Sequence, residues 1–156
     1  MKKIKNIKIA TVSSSFRKEV SDNLEKNCIK TLKASGLRGS QIDIFRVPGS
    51  LEIPLVVKKL AKKGIYDAII TFGAIVKGDT YHFEQIADEC AKGCMEVSLQ
   101  YEIPVIFEVL AVYDLKDAIE RATRQKENEQ SSSDEQNKGE EAAETALEMI
   151  KVLSKL

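Results

Sequence analysis

A three-layer α/β sandwich, in which a four-stranded parallel sheet is flanked by helices, is the fold class this sequence predicts, and three observations carry it. Short runs of β-branched and apolar residues alternate along the chain with longer stretches in which apolar residues recur every third or fourth place. Glycine, proline or serine punctuates each change of pattern. The length, 156 residues, is close to the commonest domain size and allows one sizeable core, so a single domain over residues 1–156 is expected. Strands alternating with helices imply parallel pairing through right-handed crossovers, with helices on both faces.

The first run, Ile7 to Val12, stops at Ser13, Ser14 and Ser15 and reads as a central strand followed by a loop. From Val20, the residues Leu24, Cys28 and Leu32 recur at every fourth place up to Gly36, which gives an amphipathic helix. Gln41 to Val47 reads as a second strand, closed by Pro48 and Gly49. Pro54 has no N–H and suits the first helical position, whereas Ile53, preceding a proline, is pushed out of helical geometry. The spacing therefore predicts a helix from Pro54 through Val57 and Leu60 to Gly64, with Ser50, Leu51 and Glu52 in an extended loop. Ala68 to Phe72 is the third strand. The segment Gly73 to Phe83 connects it to a helix expected from near Thr80 to Gln100, with Phe83, Ile86, Cys90, Cys94 and Val97 along one face. Pro104 to Leu110 is a fourth strand, and Leu115, Ala118, Ile119 and Ala122 form the stripe of a shorter helix. From Gln125 to Gln136 there is no apolar residue, so a mobile solvated loop is expected there. Helical spacing resumes with Ala142, Ala143, Ala146, Leu147, Ile150 and Leu153.

Charge and cysteine content exclude several functions. Lys plus Arg and Asp plus Glu each number 24, so no electrostatic case exists for a nucleic acid partner. The basic opening MKKIKNIK leads into a strand pattern and not into an apolar run. Neither a secretion signal nor a membrane span is expected, and a cytoplasmic protein is. Cys28, Cys90 and Cys94 fall on apolar helical positions and fit reduced thiols in a core. Cys90 and Cys94 are one helical turn apart, but no second pair of ligands accompanies them, so no metal site is expected.

In parallel α/β sheets, ligands bind outside the carboxyl ends of the strands. The loops Ser13 to Arg17, Pro48 to Ile53, Gly73 to Thr80 and the residues after Leu110 qualify. Among these, Gly73 to Phe83 carries the most chemistry. A helix start offers unpaired N–H groups and the positive end of a dipole, so Gly78, Asp79 and Thr80 suit an anion such as phosphate. The only histidine of the chain, His82, lies beside them, and histidine is the side chain type suited to exchanging protons near neutral pH. The residues alone thus predict a pocket containing Phe16, Glu52, the anion loop and His82. Plainer roles fit them too: His82 as an exposed capping residue, Glu52 as a solvated acid and Phe16 as a core aromatic.

The segments VPGSLEIP, GAIVKGDTYHFE, IPVIFEVL, AIERA and NKGEEAA, in this order and over nearly the whole chain, resemble the 6,7-dimethyl-8-ribityllumazine synthase family. The motif from Lys77 to Phe83 is the specific one. The resemblance implies a flavodoxin-like sandwich and the condensation of 5-amino-6-(D-ribitylamino)uracil with 3,4-dihydroxy-2-butanone 4-phosphate, with release of phosphate and water and with no cofactor or metal. By matched position it implies that Phe16 stacks on the pyrimidine, that Ser50, Leu51 and Glu52 hold the ring edge and ribityl hydroxyls, and that Ile75 and Val76 line the pocket. Gly78, Asp79, Thr80 and Arg121 would bind phosphate, and His82 would move protons. In the family Phe107, Arg121 and Lys138 come from a neighbouring subunit, which implies a pentamer. The chain departs from the family pattern at Ser15, Arg17, Leu51, Asp79 and Glu108. Its Arg121 to Lys138 spacing is also longer, a change cheap in loop closure but awkward for stacking pentamers into a sixty-subunit icosahedral shell. A pentamer or decamer is therefore favoured. Two other readings compete: an archaeal-type riboflavin synthase, disfavoured by the intact GDTYHF loop, and a non-catalytic flavin- or lumazine-binding oligomer.

Overall fold

The computed structural model describes residues 4–123 and 137–156. Four strands, β1 (Ile9–Ser14), β2 (Ile42–Val47), β3 (Ala68–Val76) and β4 (Val105–Val112), form one sheet in the order β2-β1-β3-β4. Every pairing is parallel, with Ile9 opposite both Ile42 and Ala68, and Ile69 opposite Val105. The helices are α1 (Lys18–Ala34), α2 (Ile53–Ala61), α3 (His82–Tyr101), α4 (Leu115–Thr123) and α5 (Lys138–Leu153). The expected tract from Gln125 to Gln136 lies outside the described residues.

Side chains of successive strand residues point to opposite faces, and the sheet divides its core accordingly. Ile9, Ile70, Phe72 and Ile106 pack with Leu24, Cys28 and Leu32 of α1, Ala118 and Ala122 of α4, and Ala142, Ala146 and Ile150 of α5. Ala10, Val12, Ile69 and Val109 pack with Val57 and Leu60 of α2 and with Cys90, Cys94 and Val97 of α3. The three cysteines are buried in these layers as free thiols, as their apolar positions predict.

Several boundaries differ from the sequence expectation. The first strand runs on through Ser13 and Ser14, which pair with Arg46 and Val47. Serine is tolerated there because the Ser13 hydroxyl donates to the Glu25 carboxylate and the Ser14 hydroxyl to Phe16 O. The third strand continues to Val76, because Gly73 to Val76 pair in register with Val109 to Val112. Ser50 to Glu52 form a 3₁₀ turn and not an extended loop, and it leads directly into α2. Ile53 is helical at φ −57° and ψ −51°, against the bias that a following proline imposes. Complete burial of its side chain between α2, α3 and the sheet offsets that bias. The third helix begins at His82, within two residues of the expected start near Thr80, so Gly78 to Thr80 precede it.

Candidate active site at the strand carboxyl ends

Three connections that leave the carboxyl ends of β1, β2 and β3 meet at one pocket. The loops after β1 and β2 are stitched together: Ser15 N–H donates to Val47 O at 2.8 Å and Phe16 N–H to Pro48 O at 3.0 Å. This places the Phe16 ring, 65% exposed, beside the 3₁₀ turn. Arg17 follows in the left-handed region at φ 58°, an uncommon conformation for a residue with a Cβ. Its guanidinium carbon lies 5.4 Å from the Phe16 ring centroid. The turn Ser50–Glu52 sits against the sheet because residue 73 is glycine. A Cβ there would meet Ser50 Oγ at 2.8 Å and Val109 Cγ1 at 3.2 Å. From the other side, the Cys90 thiol of α3 donates to Ser50 O at 3.1 Å and ties the turn to that helix.

The pocket enclosed in this way has a volume of about 500 Å³. Of the residues singled out in the sequence, Phe16, Ser50, Leu51, Glu52, Ile75, Val76, Gly78, Thr80 and His82 line it. Ile75 and Val76 are strand residues and form an apolar wall, whereas Leu51, Glu52, Gly78, Thr80 and His82 are exposed at its mouth. Asp79 does not line the pocket, although both its neighbours do. The N–H groups of Gly78, Asp79 and Thr80 take no hydrogen bond among the described residues, while the Lys77 N–H just before them donates to Val112 O at 2.9 Å. Free donors next to a fixed anchor are what an anion requires from backbone. His82 occupies the first turn of α3.

Phe107, Arg121 and Lys138 do not line this pocket. Phe107 lies on β4, an edge strand of the sheet, and remains 36% exposed. Arg121 is on α4 and donates through Nη1 to Asp117 O at 3.0 Å. Lys138 opens α5 and pairs with Glu141 at 2.5 Å. Among the described residues, these three lie outside the pocket that His82 lines.

Sequence reasoning missed several contributors. Arg17, Pro48, Gly49 and Ala74 fall within the loops expected to converge but were given no role of their own, and they line the pocket, as do Phe83 and Ile86. Phe83 and Ile86 had been placed on the apolar face of α3, a signal that does not separate core from pocket wall. Asn137 was missed as well. Its side chain caps α5 by accepting from Gly139 N–H at 2.9 Å and donates to Ala122 O at 2.8 Å, so it joins the end of α4 to the start of α5. Asn27 of α1 donates to the same carbonyl at 3.2 Å.

This fold and this pocket define a flavodoxin-like α/β protein with its candidate ligand site at the carboxyl ends of the sheet. Residues 6–154 match the family model described as 6,7-dimethyl-8-ribityllumazine synthase, and the chain belongs to that family. Membership makes it a transferase that performs the lumazine synthase condensation in riboflavin biosynthesis. Proteins of this family are oligomers and act on small-molecule substrates. No helix among the described residues is long and apolar enough to cross a membrane.

Proposed function

We propose that the condensation takes place in the pocket between Phe16, the Ser50–Glu52 turn and the Gly78–Thr80 loop, with the neighbouring subunit completing it. The pyrimidine stacks on Phe16, and Ser50, Leu51 and Glu52 hold its edge and ribityl chain against the wall of Ile75 and Val76. The butanone phosphate places its anion on the free N–H groups of Gly78, Asp79 and Thr80. The observation that carries this reading is the convergence of these side chains and unused amides at one mouth, beside the sole histidine of the chain. His82 relays protons as the amine condenses with the carbonyl and phosphate departs. Holding two substrates in reacting order supplies about 7 to 11 kcal/mol, and proton transfer by one side chain adds about 10²- to 10⁴-fold.

Phe107, Arg121 and Lys138 of an adjacent copy close the site, the guanidinium on the phosphate. A ring of five subunits, alone or paired as a decamer, is the assembly this reading requires. Exposed apolar side chains on the outer faces of α2 and α3, Leu55, Met95 and Leu99, supply surface for that contact.

Incubation with both substrates and detection of the fluorescent lumazine tests the reaction. A protein that binds the product but forms none is a passive carrier, and the proposal then fails. His82→Ala is expected to lower kcat by about 10²-fold while leaving measurable turnover. Arg121→Ala is expected to raise KM for the phosphorylated substrate by about tenfold or more, the loss of a charge-assisted pair. A histidine variant that runs at the parental rate across about pH 6 to 8 removes the proton-relay role.

A further inference from the structure

Lys77 stands at the junction of β3, β4 and α3. Its N–H is bonded to Val112 O, its ammonium pairs with Glu84 Oε1 at 2.7 Å, and the same ammonium lies 5.6 Å from the ring centroids of both Phe83 and Tyr113. The two rings are 6.3 Å apart. One side chain therefore joins the end of β3 to the residue that follows β4 and to the first turn of α3. The Glu84 hydrogen bond raises the Lys77 pKa, and the Lys77 hydrogen bond lowers that of Glu84, so each holds the other charged. Between the two attachments, Gly78, Asp79 and Thr80 make no hydrogen bond through their N–H groups among the described residues. The shape of that loop rests on its ends. Phe83 belongs at once to the clamp and to the pocket wall, whereas Lys77 does not line the pocket.

We propose that Lys77, held by Glu84, Phe83 and Tyr113, is a positioning residue that fixes the anion-binding loop and His82 over the pocket without touching substrate. The proposal rests on the reading of Gly78 to Thr80 as the phosphate site. Its ammonium is already occupied by a carboxylate and two ring faces, which leaves it a strut and not a ligand.

Steady-state kinetics of the intact oligomer tests this with Lys77→Met, Glu84→Gln and Tyr113→Ala against Lys77→Arg and Tyr113→Phe. The first three are expected to raise KM for the phosphorylated butanone about fivefold, the scale of one exposed cation–π contact with one surface ion pair. KM for the pyrimidine stays unchanged, and Lys77→Arg and Tyr113→Phe retain the parental value. The double variant Lys77→Met with Tyr113→Ala is no worse than either single one, since both dismantle one clamp. An unchanged KM in Lys77→Met overturns the proposal. So does tighter phosphate binding in Glu84→Gln, which would mean that the freed ammonium itself reaches the anion. Calorimetric titration with inorganic phosphate separates the clamp from the reaction. If the parental protein forms no lumazine, the assigned chemistry fails, yet a fivefold affinity difference between the parent and Lys77→Met still supports the clamp, and equal affinities overturn it.

Discussion

Glu108 lies on β4 between Ile106 and Leu110 and, by strand alternation, faces the layer built from α1, α4 and α5. Burial pushes its carboxyl pKa up to about 7, the Glu141 carboxylate adds to the rise, and the Lys138 ammonium opposes it. A second acid in the same layer is treated differently. Glu25, 5% exposed, accepts from the hydroxyls of Thr11 and Ser13 and pairs with Arg46, so its charge is met by donors. An acid whose folded pKa is raised favours the fold below its unfolded value and loses that contribution as pH rises through the folded value. For Glu108 the loss runs from about 4.5 to about 7. Glu108→Gln removes the titration while keeping the shape. The melting temperature of this variant is expected to equal the parental one near pH 4.5 and to exceed it at pH 8, well above a pKa of about 7. Equal differences at both pH values would show that this carboxyl titrates like an exposed one. The donors around Glu25 could not be read from sequence, because Thr11 and Ser13 lie on a strand far from Glu25 along the chain and serines at a strand end resemble a loop.

At the scale of elements, α5 approaches α1 closely at Gly139. A Cβ on Gly139 would sit 2.1 Å from Leu24 O and 2.9 Å from Leu24 C. These are backbone atoms inside a helix and cannot turn aside. Gly139→Ala is expected to destabilise the protein by about 1 to 3 kcal/mol or more, seen as an earlier denaturant midpoint, whereas Gly78→Ala, with nothing within 4 Å of the added atom, leaves the midpoint in place. A Gly139→Ala midpoint equal to that of the parent would mean that the helices separate freely. The four strands and five α-helices of the described residues were legible from apolar spacing, because each has a face that only burial satisfies. Their ends were not. The limits of β1 and β3 depend on what the neighbouring strand offers in register, and the start of α5 depends on a cap, Asn137, whose second partner lies on α4. The half of the candidate site on β1, β2 and β3 was legible from the rule that loops at the carboxyl ends converge. Phe107, Arg121 and Lys138 were legible only through the resemblance, since nothing within one chain draws them to His82.

For the molecule as a whole, the separation of these two groups yields a test of the proposed assembly. The pocket contains His82, the loop amides and Phe16, whereas Arg121 is bound to the backbone of its own helix and Lys138 to Glu141. If each working site takes His82 from one copy and Arg121 from the next around a closed ring, a defect in either residue disables one side of every interface. Mixing His82→Ala subunits with Arg121→Ala subunits, after dissociation and reassembly together, then creates interfaces that carry both intact residues. With random incorporation, about a quarter of the interfaces are of this kind, because each of two adjacent positions must hold the right variant. Activity at low phosphorylated-substrate concentration is therefore expected to rise from the residual level of either variant toward about one quarter of the parental value. A site built within one chain gives no rise, because no single subunit in the mixture holds both groups. The experiment also reads ring size when reassembly is followed by light scattering: recovery must appear with the five-subunit species and must be absent from dissociated protomers.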